Sequence, residues 1–138
     1  MCSVNLPPTA SSVIRPQRHF DTILYTGNNA SGRKITGLEF KPDLVWFKKR
    51  SSGSQNHTLY DSVRGAGKRL MLPATDGHAT VSDELTSFDI GGFTIDTDNF
   101  QNSNGEDYVA WCWKAGGNSN TFNVDGKGYS TTSAAGIT

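Results

Sequence analysis

The segment from Asp107 to Ala115 constrains the possible folds of this chain more than any other part of the sequence. It is rich in the aromatic and β-branched residues that favour strands. Side chains alternate between the two faces of an extended chain, so Val109, Trp111 and Trp113 share one face. The opposite face carries Tyr108, Ala110, Cys112 and Lys114. The segment is therefore predicted to be a well-packed strand at the centre of a sheet.

Further segments have the composition and length of short strands. They lie at residues 22–26, 34–38, 44–49, 57–61, 69–72, 79–81, 86–88 and 92–95. Gly, Asn, Ser and Asp separate them, and Asp89-Ile90-Gly91 is typical of a hairpin turn. The best helical signal is a single turn over residues 81–85. Many short strands with almost no helix predict an all-β sandwich or barrel.

The size and composition of the chain fit one domain with polar connections. Its 138 residues can bury a core without disulfide bonds, and its 15 glycines supply turns. We divide it into an N-terminal arm at residues 1–18, a β-sandwich domain at 19–117 and a Gly/Ser/Thr-rich segment at 118–138. The last segment is predicted to contain one small hairpin, across residues 125–128, followed by a linker.

Charge and targeting signals argue against several classes of partner. The formal net charge is zero, whereas a phosphate-binding surface usually needs a clear basic excess. No apolar run approaches the roughly 20 residues needed to span a bilayer, and no secretory signal is visible. Cys2 and Cys112 do not form a disulfide framework, which favours synthesis in a reducing compartment. We therefore expect neither a nucleic-acid nor a membrane partner.

No motif indicates catalysis, a cofactor or a metal. Residues 64–69 resemble a phosphate-binding loop, but Arg69 stands where the metal-binding Ser or Thr is required. His19, His57 and His78 lie on separate segments, without the spacing of metal ligands. No nucleophile elbow or paired carboxylates can be identified. The chain is expected not to be an enzyme and to bind no cofactor or metal.

A tight corner is predicted directly after the strand at residues 57–61. It consists of Asp61, Ser62, Arg64 and Gly65. The Asp61 carboxylate can accept backbone N–H groups, and the Arg64 guanidinium can clamp a carboxylate or carbonyl. The pattern favours a structural corner over a ligand contact.

The three tryptophans have two interpretations, as packing residues between sheets or as flat exposed rings that stack on sugars. Trp46 and Trp111 lie in strong strand patterns between apolar neighbours, which favours a buried position. Trp113, near the strand end, is the most open case. The predicted structural core comprises Trp46, Phe47, Trp111, Phe93 and Tyr25. The candidate contacts to a glycan or a partner are Trp113, Asn56 and Asn102.

An ordered set of segments carries a resemblance to a known family. The segments are Phe20–Asn28, Gly37–Trp46, Leu59–Gly65, Thr86–Phe88 with Gly91–Phe93, and Tyr108–Gly117. In this order they resemble a domain of tailed-phage virion proteins, often found in tail-fibre-like chains of marine phages. The resemblance covers residues 19–138 and implies a lectin-like, concanavalin-type β-sandwich without catalytic residues. We therefore expect an all-β, antiparallel two-sheet sandwich of jelly-roll or concanavalin-lectin-like type.

Two functions follow from these expectations. The first is a non-enzymatic structural component of a bacteriophage virion, in a tail fibre or appendage or as capsid decoration. It would assemble with other virion proteins or with copies of itself. The alternative is a receptor-binding, lectin-like module that recognises host-surface glycan through polar loops at residues 51–56 and 99–107. In both cases the chain would be made in the host bacterial cytoplasm and act in the virion.

Overall fold

The computed structural model describes residues 15–115 and the strands at 122–124 and 127–129. A 3₁₀ turn at Pro16–Arg18 precedes the first strand. The strands are β1 (Phe20–Thr26), β2 (Arg33–Thr36), β3 (Leu44–Lys49), β4 (His57–Asp61), β5 (Lys68–Leu72), β6 (Ala79–Thr80), β7 (Leu85–Asp89), β8 (Gly92–Ile95), β9 (Asp107–Trp113), β10 (Phe122–Val124) and β11 (Lys127–Tyr129). The bounds predicted for β3, β4 and β8 agree with the structure, and the other strands are shifted at their ends.

The strands form two antiparallel sheets, which make the all-β sandwich that the sequence predicts. The larger sheet has six strands in the order β1-β9-β3-β4-β5-β6, and the smaller has three in the order β2-β8-β7. The strands β10 and β11 pair with each other in a separate hairpin. β9 lies between β1 and β3, so the segment that dominates the sequence pattern is an interior strand of the larger sheet.

The hydrophobic core lies between the smaller sheet and one face of the larger sheet, which we call the inner face. The larger sheet contributes Val45, Phe47, Tyr60, Ala110 and Cys112, none of which has exposed surface. The smaller sheet and its flanks contribute Ile35, Leu38, Phe40, Leu85, Phe93 and Ile95. The rings of Phe47 and Phe93 meet edge to face across the two sheets, with centroids 5.1 Å apart.

Trp46 and Trp111 do not lie in this core, which corrects the prediction made from the sequence. The two residues are opposite each other in the register of β3 and β9. Their neighbours Phe47 and Ala110 point inward, so alternation places both indoles on the opposite face, which we call the outer face. Because β9 is apolar on both faces, its own pattern could not decide which face would become the core.

The two ends of β7 lie at segments that the sequence analysis singled out. Residues 81–85, which carry the best helical signal, form no helical turn, and the chain bends at residues 82–84 before β7 begins. Glu84 is buried there and accepts hydrogen bonds from the side chains of Tyr60 and Arg69, which fixes the bend against the larger sheet. At the other end Ile90 and Gly91 form the predicted hairpin turn, and Gly91 has a φ of 82°.

Candidate binding site: an aromatic groove on the outer face

Three neighbouring strands bring four large ring side chains together on the outer face. β9 carries Trp111 and Trp113, and β3 carries Trp46 directly opposite Trp111. β4 carries His57, whose neighbour Thr58 points inward opposite Phe47. These residues are brought together by the pairing of β9 with β3, which lies about 60 residues earlier in the sequence.

The four rings line a groove of about 300 Å³, which we call the aromatic groove. Its lining consists of Trp46, His57, Trp111 and Trp113. The volume is at the lower end of the roughly 300–1,000 Å³ typical of small-molecule sites. All four side chains are partly exposed, whereas the inner-face residues next to them in sequence are buried. The groove is thus an open feature of the surface and separate from the core.

Contacts among the rings fix their orientations. The indole N–H of Trp46 donates a hydrogen bond to Nδ1 of His57 at 2.9 Å, and the two rings are inclined by 60°. The indoles of Trp46 and Trp111 are also inclined by 60°, with centroids 5.6 Å apart. Trp113 packs against Phe20 of β1, with centroids 4.9 Å apart. A ligand would meet a surface that is already formed, which lowers the entropy cost of binding.

The hydrogen bond from Trp46 determines the protonation state of His57. An Nδ1 atom that accepts a hydrogen bond carries no proton, so the imidazole is neutral and bears its proton on Nε2. Burial lowers the pKa of His57, and the charge of Lys48 lowers it further, which is consistent with this neutral form. At neutral pH His57 is therefore an uncharged residue with one N–H available as a donor.

The charged side chains around the groove have partners within the protein. The ammonium group of Lys48, on the same face of β3 as Trp46, donates to the backbone carbonyl of Gln55. Asp61, at the far end of β4, forms an ion pair with Arg64. Burial by itself would raise the pKa of Asp61, but hydrogen bonds from the Arg64 backbone and side chain outweigh it and lower the pKa. The four-ring groove itself is uncharged.

Apolar surface continues from the groove across the outer face. Phe20 and Leu24 of β1, which lie opposite Trp113 and Val109, are 40% and 61% exposed. Leu72 of β5, opposite His57, is 37% exposed. In the part of the chain that the structure describes, no second layer covers this face as the smaller sheet covers the inner one.

The corner after β4 is a compact set of hydrogen bonds. The Asp61 carboxylate accepts the backbone N–H of Arg64 at 2.8 Å and its Nε–H at 2.5 Å. The Gly65 N–H donates to the Asp61 carbonyl oxygen at 3.0 Å. Ser62 donates its backbone N–H and its hydroxyl to Asp43, at 2.7 and 2.9 Å. All four corner residues thus hold the exit of β4 in place.

The remaining predicted site residues lie in three different environments. Trp113 lines the groove, and Asn56 is exposed directly before His57. Asn102 is fully buried, and its amide donates to the carbonyl oxygens of Ala30 and Asp96, so the proposed glycan contact is wrong for this residue. Of the predicted core residues, Phe47 and Phe93 lie at the centre of the core and Tyr25 packs against its edge.

Sequence reasoning missed three of the four groove residues, namely Trp46, His57 and Trp111. One signal for them exists in β4, where the polar residues His57 and Asp61 alternate with Thr58 and Tyr60 and mark one face as the outer one. To extend that signal to the tryptophans, the register of β3 with β4 and β9 must be known. That register is a long-range property, and the local pattern does not contain it.

Neither a metal-binding cluster nor a membrane-spanning helix is found in the part of the chain that the structure describes. No group of three or more His, Cys, Asp or Glu side chains in residues 15–115 is arranged to hold a metal ion. No helix in the same part of the chain has the length and hydropathy required to cross a membrane.

Comparison with known proteins gives one match. A family model described as a domain of unknown function, DUF7483, matches residues 15–137, which is nearly the whole chain. Neither the curated proteins nor the solved structures contain a match.

Proposed function

This chain belongs to the DUF7483 family, a domain of unknown function, and from that starting point we propose that it is a non-enzymatic binding module of a phage particle. Its contact surface in this proposal is the aromatic groove of the outer face. The module would be made in the host bacterium and would act in the virion.

The observation that carries the proposal is the position of the tryptophans. All three tryptophans of the chain lie on the outer face, partly exposed and outside the core. A sandwich of this size is stabilised by its inner face, so the fold does not require large rings on the other side. Clustered exposed aromatic side chains are typical of surfaces that contact a ligand or a partner.

The virion context rests on the ordered resemblance described above and is part of the proposal. A lectin-like sandwich that serves as a structural or adhesive module needs a stable frame and an exposed contact surface. The inner and outer faces of the larger sheet match these two requirements.

A second candidate function is assembly with another virion protein or with copies of this chain. It is favoured by the apolar surface beyond the groove, formed by Phe20, Leu24 and Leu72. A stable protein interface buries roughly 800 Å² on each partner, far more than a groove of four rings can supply. Assembly would therefore need the wider outer face, whereas a small ligand would need the groove alone.

The proposal can be tested with phage particles that carry the variant Trp111→Ala. We expect the variant to fold, because its side chain lies outside the core, and to lose contact with its partner. Loss from the particle, measured by mass spectrometry, would assign the groove to assembly. Normal incorporation with slower adsorption to the host would assign it to attachment. Unchanged incorporation and unchanged adsorption would contradict the proposal.

A further inference from the structure

We infer that the ligand of the aromatic groove is an uncharged carbohydrate, held with the C–H face of its sugar rings against the indoles. The inference depends on the proposed function, because it names the ligand of the same site. Four properties of the groove point to this class, namely its rings, its polar groups, its charge and its shape.

The rings provide flat apolar surfaces at fixed angles. Trp46 and Trp111 are inclined by 60° in edge-to-face contact, and both rings line the groove. A sugar ring has an apolar C–H face and a polar edge, and an indole binds the apolar face while the edge stays in water. If the ligand were an aliphatic side chain of a partner protein, a groove lined by Leu or Ile would bind it equally well, and indoles would not be needed.

The surface that the groove exposes is almost entirely apolar, and the only polar groups that its lining side chains can offer a ligand are ring N–H donors. The Nε2–H of His57 is one, because Nδ1 is already occupied by Trp46. The indole N–H groups of Trp111 and Trp113 are the others, and within the described ranges neither has an acceptor in the protein. A matching ligand must therefore be apolar on the face that enters the groove and polar at its edges, and a sugar ring has this form.

The four rings that line the groove carry no charge, which favours an uncharged ligand. Lys48 keeps its charge, but it does not line the groove and its ammonium group donates to the Gln55 carbonyl. Arg64 is paired with Asp61. His57 is neutral while it accepts the hydrogen bond from Trp46. A carboxylated or phosphorylated sugar would lose hydration against these rings, none of which offers it a cationic group. The charge pattern is thus complementary to a neutral sugar.

The shape of the groove fits a chain of sugars. From Trp113 on β9 to His57 on β4 it crosses two interstrand spacings, or roughly 10 Å. It also advances by about four residues along the strands, or roughly 13 Å. An open diagonal groove of this direction can follow a linear sugar chain across the three strands.

The experiment is isothermal titration calorimetry on the full chain at neutral pH. The probes are hexamers of the neutral cello-, malto- and chito-oligosaccharide series, with an oligogalacturonate of equal length as the charged control. We expect at least one neutral series to bind and the oligogalacturonate not to bind. Trp111→Ala should weaken binding roughly tenfold or more, and Trp111→Phe, which keeps a ring but lacks the N–H, should weaken it less.

The matched control is Leu24→Ala. Leu24 is apolar and 61% exposed on the same face but does not line the groove. If the groove is a carbohydrate site, Leu24→Ala should bind the sugar within about twofold of the unchanged chain. Circular dichroism spectra of all variants establish that they fold.

Three results would overturn the inference. They are tighter binding of oligogalacturonate than of every neutral probe, equal weakening by Leu24→Ala and Trp111→Ala, and no binding of any probe by the folded chain. The last result would leave the proposed function intact if Trp111→Ala particles still failed in incorporation or adsorption. In that case the occupant would be a protein, either another chain or a second copy of this one.

Discussion

The two faces of the six-stranded sheet are built from the same strands and both carry large apolar side chains, yet they differ in how far those side chains are exposed. In β3, Val45 and Phe47 have no exposed surface, while Trp46 between them is partly exposed. In β9, Ala110 and Cys112 are buried and Trp111 between them lines the aromatic groove. Large rings thus lie on the outer face beside smaller residues that pack inward.

The comparison shows that hydrophobicity alone does not identify a core. On the inner face, side chains from two sheets interdigitate, as Phe47 and Phe93 do, and their burial stabilises the fold. On the outer face, the rings of Trp46, Trp111 and His57 contact one another and leave apolar surface in water. Such surface contributes little to stability and is available to a ligand. One face stabilises the fold, and the other is the surface that we propose for recognition.

The largest expected difference between the faces is in thiol reactivity. Cys112 points inward with no exposed surface, and burial raises its pKa to about 12. Thr22 is exposed opposite Trp111, so Thr22→Cys places a thiol on the outer face. In a Cys2→Ser background we expect this thiol to react with a disulfide reagent roughly a thousandfold faster than Cys112, whose reaction requires unfolding. The measurement is the rate of thiolate release, followed by absorbance.

Reaction of Cys112 in the folded chain at the rate of the Thr22→Cys thiol would contradict the assignment of the faces. The Cys2→Ser chain without the new thiol is the control, since it reports Cys112 alone.

The next largest difference concerns two neighbouring residues of β3. Phe47→Ala removes a fully buried ring from the core and should cost about 3–5 kcal/mol of unfolding free energy. Trp46→Ala removes a larger ring that is only partly buried on the outer face, and should cost about 1–2 kcal/mol. Urea denaturation measures both values, provided that the unfolding free energies of the variants fall with urea concentration at similar slopes. Equal losses of unfolding free energy would show that the two faces contribute equally to stability, and would contradict the comparison.

The smallest expected effect is a pH response confined to the outer face. Burial and the charge of Lys48 lower the pKa of His57 in the folded chain below its ordinary value of 6.5. The unfolded chain therefore takes up the proton first. The stability that neutral His57 contributes is complete above about pH 6.5 and is lost as the pH falls through its folded pKa. Protonation also removes the acceptor of the Trp46 N–H, so tryptophan fluorescence should change reversibly in that range.

His57→Gln keeps an acceptor but does not titrate, and should abolish the fluorescence change. His78→Gln, which replaces an exposed histidine outside the groove, should retain it. If the fluorescence change with pH were identical in both variants, it would not arise from protonation of His57.

The sequence predicts where the strands lie better than it predicts which of their side chains point into the core. The reason is physical. β3, β4 and β8 have the predicted bounds because β-branched and aromatic runs end there at Gly, Pro or polar turns. Whether a side chain points inward depends on pairings such as β3 with β9, which join distant segments. Asn102 illustrates the same limit. Its amide looks like a surface donor in the sequence, but its partners Ala30 and Asp96 are identified only in the folded chain.

The most direct test of the central claim is iodide quenching of tryptophan fluorescence at constant ionic strength. All three tryptophans lie on the outer face, so the intrinsic fluorescence of the chain reports on that face alone. We predict a quenching slope in the folded chain that is a substantial fraction of the slope in denaturant. A bound neutral oligosaccharide should reduce it. A slope near zero in the folded chain, rising only on unfolding, would show that the tryptophans are buried and would contradict the account.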